Sequence, residues 1–468
     1  MTDNSLNKNT AFASLPLQAE LLTNLDALGY SDMTPIQAQS LPEIVAGRDV
    51  LAQAKTGSGK TAAFALGVLH KLDVSAFRVQ ALVLCPTREL ADQVARELRQ
   101  LGRLLHNIKV LTLCGGMPLG PQIHSLSHGA HIVVGTPGRV EEHLRKGSLT
   151  LASLTMFVLD EADRMLDMGF QQSLDAIAGH VPPQRQTLLF SATYPDDIAA
   201  IANRITRDPI TIAVADSHSE TSIRQELYSV SDDAERCEAV RLLLLTIRPE
   251  SALVFCNTKR ETRELAQALR RSGIYAVALH GDLEQRDRDR TLTLFAHRSV
   301  SVLVATDVAA RGLDIEKLDA VINYQLARDP EVHVHRIGRT GRAGERGRAC
   351  SLATERESAI VARLEAYLGA ELEKRSLPAA LPLGTTGYAP PMATLQIGAG
   401  KKQKLRPGDI LGALTSAGGI AGADVGKITI GDSSAFVAVS RRAADAALEK
   451  LSQGKLKGRS FRVRLVSE

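Results

Sequence analysis

The chain has 468 residues, of which 44% are hydrophobic and 23% charged, enough apolar material for several cores and too much for a disordered chain. The net charge is only +4, yet residues 394–468 hold 13 basic and 6 acidic side chains, so this stretch is +7 and the remainder −3. Such asymmetry marks a basic module that meets a polyanion, and aromatics at 4% with no Trp argue against an aromatic-rich interface protein. The five cysteines are scattered and form no CxxC pair, which reads as buried, reduced thiols in a reducing compartment. Residues 1–10 are polar, without the apolar stretch of a signal peptide. No apolar run approaches the ~18 residues of a membrane span. A soluble, cytoplasmic protein of about three domains is expected.

In chain order, short apolar runs at residues 50–54, 81–85, 110–114, 132–134, 156–159 and 187–190 alternate with longer amphipathic stretches. That alternation predicts a parallel sheet covered by helices on both faces. A polar stretch at 215–221 interrupts it, and runs at 252–256, 275–279, 302–305 and 320–323 then resume it. The reading is two doubly wound α/β domains, residues 1–214 and 222–370, joined by a linker at 215–221. Prolines and glycines at 378–391 punctuate a second linker, 371–393. The last unit, 394–468, reads βαββαβ, with strands at 394–397, 427–430, 435–439 and 460–465 and helices at 409–417 and 442–452. This is the α+β order of RNA-recognition motifs.

Three motifs carry chemistry. Ala54-Lys55-Thr56-Gly57-Ser58-Gly59-Lys60-Thr61 follows an apolar run and opens a helix, the context of a phosphate-binding loop. Its glycines let backbone N–H groups turn toward phosphate oxygens, Lys60 supplies a cation, and the Thr61 hydroxyl can hold Mg²⁺. Ala54 stands where the first glycine usually does. Four apolar residues then lead into Asp160-Glu161-Ala162-Asp163 at the edge of the sheet where ligands bind. Asp160 is expected to bind Mg²⁺, and Glu161 to position or deprotonate the attacking water. In the second domain, His335-Arg336-Ile337-Gly338-Arg339-Thr340-Gly341-Arg342 offers Arg339 and Arg342 as cations for the γ-phosphate on domain closure.

With these motifs the chain resembles the DEAD-box RNA helicases over residues 12–370, and Asp160–Asp163 is the name-giving tetrapeptide itself. The resemblance implies two RecA-like domains, and ATP and Mg²⁺ as ligands. Lys55, Thr56, Gly57, Ser58, Gly59, Lys60 and Thr61 would cradle the phosphates. Gln37 would bond the adenine edge, with Phe12 or Tyr30 near the ring, and Asp314 would bind the ribose. Arg88, Gly116, Thr136 and Arg139 of the first domain, and Gln285, Arg288, Thr306 and Gly312 of the second, would contact RNA. Ser191 and Thr193 would couple the ATP site to closure. Contacts of this kind go mainly to phosphate and sugar, so little base preference is expected of the core.

The C-terminal unit lacks most of the aromatics that stack bases. Phe436 alone remains in its strand and reads as core, which argues against stacking across the sheet. Basic residues are plentiful instead, Lys401 through Arg406 and Lys455 through Arg464, and favour RNA binding. The whole order of domains resembles the DbpA family of bacterial DEAD-box helicases. That implies large-subunit ribosomal RNA in pre-ribosomal particles as the target, reached through a tethered module during ribosome assembly. Nothing in the sequence suggests self-association, so a monomer is expected, cytoplasmic and without membrane contact as its cysteines and hydropathy indicate. RNA-stimulated ATP hydrolysis with local duplex separation is the first reading. An ATP-gated RNA clamp with slow hydrolysis is the alternative, and a DNA translocase is disfavoured by the motif set.

Overall fold

The computed structural model describes residues 10–466 except 55–56, 195, 215–222, 311–317, 342–346 and 380–386. The first apolar runs become strands β1 (Val50–Gln53), β2 (Ala81–Leu84), β3 (Val110–Leu113), β4 (Ile132–Gly135), β5 (Met156–Asp160), β6 (Gln186–Ser191) and β7 (Ile210–Ala213). They form one parallel sheet of order β3-β4-β2-β5-β6-β1-β7. Successive side chains serve opposite faces: Val50, Val83, Val158 and Leu188 pack into one core, and Leu51, Leu82, Phe157 and Leu189 into the other. A strand buried on both sides has no polar positions to spare, which is why these runs read as continuous rather than alternating.

The second sheet repeats the plan with β8 (Ile223–Ser229), β9 (Ala252–Cys256), β10 (Ala276–Leu279), β11 (Val302–Thr306), β12 (Ala320–Asn323), β13 (Gly347–Ala353) and β14 (Glu373–Arg375). All are parallel, in the order β10-β11-β9-β12-β13-β8-β14. Strands β7, β8, β13 and β14 had no counterpart among the predicted runs. The charged Glu373-Lys374-Arg375 is wholly exposed and carries no apolar signal. It is held instead by ladder bonds to β8 and by ion pairs of Arg375 with Glu226 and Glu373.

The last unit forms β15 (Met392–Ile397), β16 (Val425–Ile430), β17 (Ala435–Ser440) and β18 (Val463–Leu465), an antiparallel sheet of order β16-β17-β15-β18. Helices Pro407–Thr415 and Ala444–Gln453 supply the other layer. The fold class is thus two doubly wound parallel sheets followed by a small α+β domain, as the sequence indicates. The last strand is shorter than predicted and begins at Val463. Phe436 is a correction: Ala435, Val437 and Val439 fill the core, while half-buried Phe436 sits on the opposite face, between Gln396 and Thr429.

That outward face meets the second domain. The imidazole of His297 hydrogen-bonds Thr394 (3.3 Å) and Thr429 (2.9 Å), and Ser299 also bonds Thr394. Arg441 lies 4.7 Å over the Tyr275 ring, and Met392 N–H donates to Arg298 C=O. Tyr388 packs against the second domain's core. The tethered module is thus also docked, its hydroxyls and rings partnered across the interface with the second domain. Cys85, Cys114, Cys256 and Cys350 are buried free thiols, and Cys237 is half-buried. Among the described residues no helix is long and apolar enough to cross a membrane.

Candidate functional site

Strand β1 delivers the phosphate loop to the sheet's C-terminal edge, and helix Lys60–His70 starts there with Lys60 as its first residue. Gly57 and Gly59 have φ of 84° and 93°, left-handed values that favour glycine. At Gly59 the close approach matters as well: a Cβ would fall 2.5 Å from Gln37 Nε2. Gln37 caps its own helix, its Oε1 accepting from Thr34 N–H (2.9 Å), and its Nε2 donates to Gly59 C=O (3.0 Å). Thr34 Oγ1 donates to Ser58 C=O (2.8 Å). The predicted adenine residue is thereby bonded to the phosphate loop. Phe12 is buried and meets Tyr30 edge to face at 6.2 Å, so these two pack on each other beside that turn.

Two charged atoms are left without hydrogen-bond partners beneath the loop. Lys60 is 5% exposed and its Nζ is unpartnered; Asp160 is 2% exposed and its Oδ1 is unpartnered. A buried charge without a partner costs several kcal/mol, so such groups mark a place where a ligand's charge belongs. Burial raises the Asp160 carboxyl to about 7, against the pull of Lys60 and with the push of Glu161. Glu161 adopts φ 55° at the helix start, a strained non-glycine backbone at the strand tip. Among the described residues no group of three His, Cys, Asp or Glu could cage a metal. Thr61 is the second residue of the helix that Lys60 opens, and a donor set of one carboxylate and one hydroxyl suits Mg²⁺, which keeps waters and leans on substrate phosphates.

Ser191 and Thr193, expected to couple this site to closure, are bonded to it through Asp163, which sequence reasoning did not single out. Asp163 Oδ2 accepts from Ala192 N–H (3.2 Å), Thr193 N–H (3.1 Å) and Thr193 Oγ1 (3.2 Å), and Asp163 N–H donates to Ser191 Oγ (3.3 Å). Ala54 N–H donates to Ser191 C=O (3.0 Å). One carboxylate thus joins the ends of β5 and β6, and the phosphate loop shares that knot. The missed signal was its place as the last acid of the tetrapeptide.

The first domain's predicted RNA residues converge at one rim. A Cβ on Gly116 (φ 72°) would lie 1.8 Å from Arg88 Nη1, so only glycine lets that guanidinium rest on the loop. Arg139 donates from Nη1 to Met117 C=O and to Gln122 Oε1, both at 2.9 Å. Thr136 is the residue before helix Pro137–Arg145. In the second domain, Arg288 donates to Ala309 C=O (2.8 Å), and Gln285 to Asp289 (2.7 Å). Thr306 ends β11, and Arg339 follows helix Pro330–Ile337. Lys55, Thr56, Gly312, Asp314 and Arg342 lie outside the described residues.

Arg336 was passed over in favour of its neighbours, yet its side chain is 1% exposed. It forks onto Asp307 (2.6 and 2.7 Å) and reaches Asn257 Oδ1, Asn323 Oδ1 and Gln325 C=O. It clasps the ends of β9, β11 and β12 together. Its helical placement, turned inward, is invisible in a run of evenly spaced arginines.

Comparison with known proteins agrees with this geometry. Residues 34–201 match the DEAD/DEAH box helicase family, 235–344 the helicase conserved C-terminal domain, and 394–465 the DbpA RNA binding domain. The chain is 53% identical over 458 residues to the ATP-dependent RNA helicase DbpA of Escherichia coli (strain K12), covering 98% of this chain and 100% of that one. It is 42% identical to the DEAD-box ATP-dependent RNA helicase CshA of Geobacillus kaustophilus over 79% of each. The structure of S. cerevisiae Dbp5 bound to RNA and ADP BeF3 matches with a TM-score of 0.72 and 31% identity, over 79% of this chain and 96% of that one. A buried Lys–Asp pair awaiting a ligand, an acid tying it to the next strand, and full-length similarity place this chain among the DEAD-box ATP-dependent RNA helicases of the DbpA family.

Proposed function

We propose that this helicase binds ATP with Mg²⁺ at the Lys60–Asp160 site and separates short duplexes in large-subunit ribosomal RNA during ribosome assembly. The observation that carries the ATP site is the pair of unpartnered buried atoms, Lys60 Nζ and Asp160 Oδ1. Lys60 holds phosphate charge, Thr61 and Asp160 hold the metal, partly through water, and Glu161 orients and deprotonates the attacking water. Bound Mg²⁺ supplies neutralisation of the phosphate oxygens' developing charge. Arg339 and Arg342 add cations on closure, and Ser191 and Thr193, held by Asp163, relay the state of the site. Arg88, Gly116, Thr136 and Arg139, with Gln285, Arg288, Thr306 and Gly312, grip the RNA backbone, while Gln37, Phe12, Tyr30 and Asp314 fit the nucleoside.

The RNA-binding domain supports a recognition role at its loops rather than its sheet, since Thr394 and Thr429 on that face are engaged by His297. At one end Lys401 and Lys402 N–H groups donate to Gly431 and Asp432 C=O, and Lys457 Nζ reaches Lys404 C=O (2.6 Å). This gathers the chain's densest basic segments, which suits a phosphate backbone.

The test is steady-state ATP hydrolysis without RNA, with large-subunit ribosomal RNA, with an unrelated structured RNA, and with single-stranded DNA. Stimulation by ribosomal RNA well above the unrelated RNA is expected. Equal stimulation by both RNAs overturns the ribosomal target and keeps the helicase. Stable RNA retention with ATP and no stimulation by any polymer favours the clamp instead.

A further inference from the structure

We infer that Gln122 is a positioning residue for RNA, the side chain that sets Arg139 and the Gly115–Gly116 loop at the first domain's rim. The inference rests on the reading of Arg139 as an RNA contact. Gln122 belongs to helix Leu119–Ser127, none of whose residues is buried. Half-buried Leu126 packs on the core, and polar bonds supply further anchorage. Its Oε1 accepts from Arg139 Nη1 (2.9 Å) and from the His143 ring (3.0 Å), and its Nε2 donates to Cys114 C=O (3.1 Å).

The chemistry requires an amide here. Arg139 can only donate, so the oxygen must face it, and the opposite orientation would set donor against donor. With that oxygen accepting, His143 Nε2 carries the ring proton and Nδ1 accepts from Ser148 Oγ (2.8 Å). His143 is fully buried, and burial first, then Arg139, lowers its pKa and keeps the ring neutral. A glutamate could not donate to Cys114 C=O, and a lysine could not accept from Arg139. Arg139 Nη1 is shared between Gln122 and Met117 C=O, and Glu142 approaches its Nε at 3.1 Å. The guanidinium is thus held from three sides. One amide aligns it with Gly116, on which Arg88 rests.

The test measures RNA-stimulated ATP hydrolysis of the full chain against single-stranded RNA for Gln122→Ala, Gln122→Met, Arg139→Ala and the Gln122→Ala/Arg139→Ala double variant. Both Gln122 variants are expected to raise the KM for RNA by about tenfold, the scale of one hydrogen bond to a charged group. Their kcat at saturating RNA is expected to hold. Methionine keeps the volume and loses the bonds, so recovery by Gln122→Met would assign the effect to packing and overturn the inference. In the Arg139→Ala background, Gln122→Ala should add much less than it does alone, only the share that passes through Cys114 C=O. Additive losses overturn positioning through Arg139. An Arg139→Ala chain with unchanged KM for RNA would sink the RNA-contact reading itself, and an effect of Arg139→Ala without one of Gln122→Ala would sink this inference alone.

Discussion

Asp160 in the first domain and Glu226 in the second are carboxylates buried on parallel sheets, 2% and 1% exposed. Their surroundings differ in kind. Glu226 accepts from Tyr228 O–H (2.9 Å) and Arg348 Nε (2.8 Å), and Arg224 and Arg375 close on its other oxygen at 3.2 and 3.1 Å. Glu226 Oε1, Asp160 Oδ1 and Lys60 Nζ all lack a hydrogen bond, but three arginines surround Glu226, while the cation acting on Asp160 is Lys60. The same contrast separates two of the buried cations, Lys60 and Arg336, because Arg336 bonds through all three guanidinium nitrogens. A buried carboxylate ringed by three arginines holds strands together. One beside a single buried cation keeps a cost that a bound ligand's charge can offset.

The largest expected effect breaks this comparison at the open site. Glu161→Gln should keep ATP and RNA binding while turnover falls about 10²–10⁴-fold, the range for losing a general base. Single-turnover hydrolysis measures it, and near-normal turnover would remove Glu161 from the mechanism.

A second prediction sets the two acids against each other. Glu226→Gln should destabilise the chain by about 2 kcal/mol, less than the ~3–5 of a fully buried pair because its arginines are a third to a half exposed. Asp160→Asn should cost less, because it gives up one cation and relieves a carboxylate whose Oδ1 has no hydrogen bond and whose burial already disfavours its charge. Denaturant melts of both variants decide it, and equal destabilisation would erase the distinction.

The last effect, confined to acid pH and absent at neutral pH, concerns the docked module. Burial, with Lys427 adding, pushes the His297 imidazole from 6.5 down to about 4. The undocked ring takes a proton below its ordinary pKa while the docked ring refuses it. Docking is therefore unaffected above about pH 6.5 and weakens as pH falls toward 4, by on the order of 3 kcal/mol at the limit. Melting curves of the wild type and His297→Gln across that window should diverge as the pH drops. Parallel pH profiles would show that the ring does not titrate on undocking.

Much of the candidate site was legible because its chemistry sits in short runs. Phosphate binding needs Gly57, Gly59 and Lys60 adjacent in the chain, and a strand tip delivers Asp160 and Glu161 together. Asp163 stood within the same run, yet its role appears only through Thr193, thirty positions on. Gln122 and Arg336 gave no signal of their own, since each acts on partners brought near by different strands. Edge strand β14 was missed for a related reason: with all three of its residues exposed, it lacks the apolar run of the central strands.

By itself the sequence determined the two doubly wound sheets, the α+β tail, the phosphate loop and the acids, all written in periodicity and contiguous residues. Only the tertiary structure decided which buried charges are satisfied, that Gln122 holds Arg139, and that the tail's sheet rests on His297 instead of lying open. Hydrogen-bond satisfaction and docking depend on residues 17 to 132 positions apart, and no local pattern encodes which distant groups will meet.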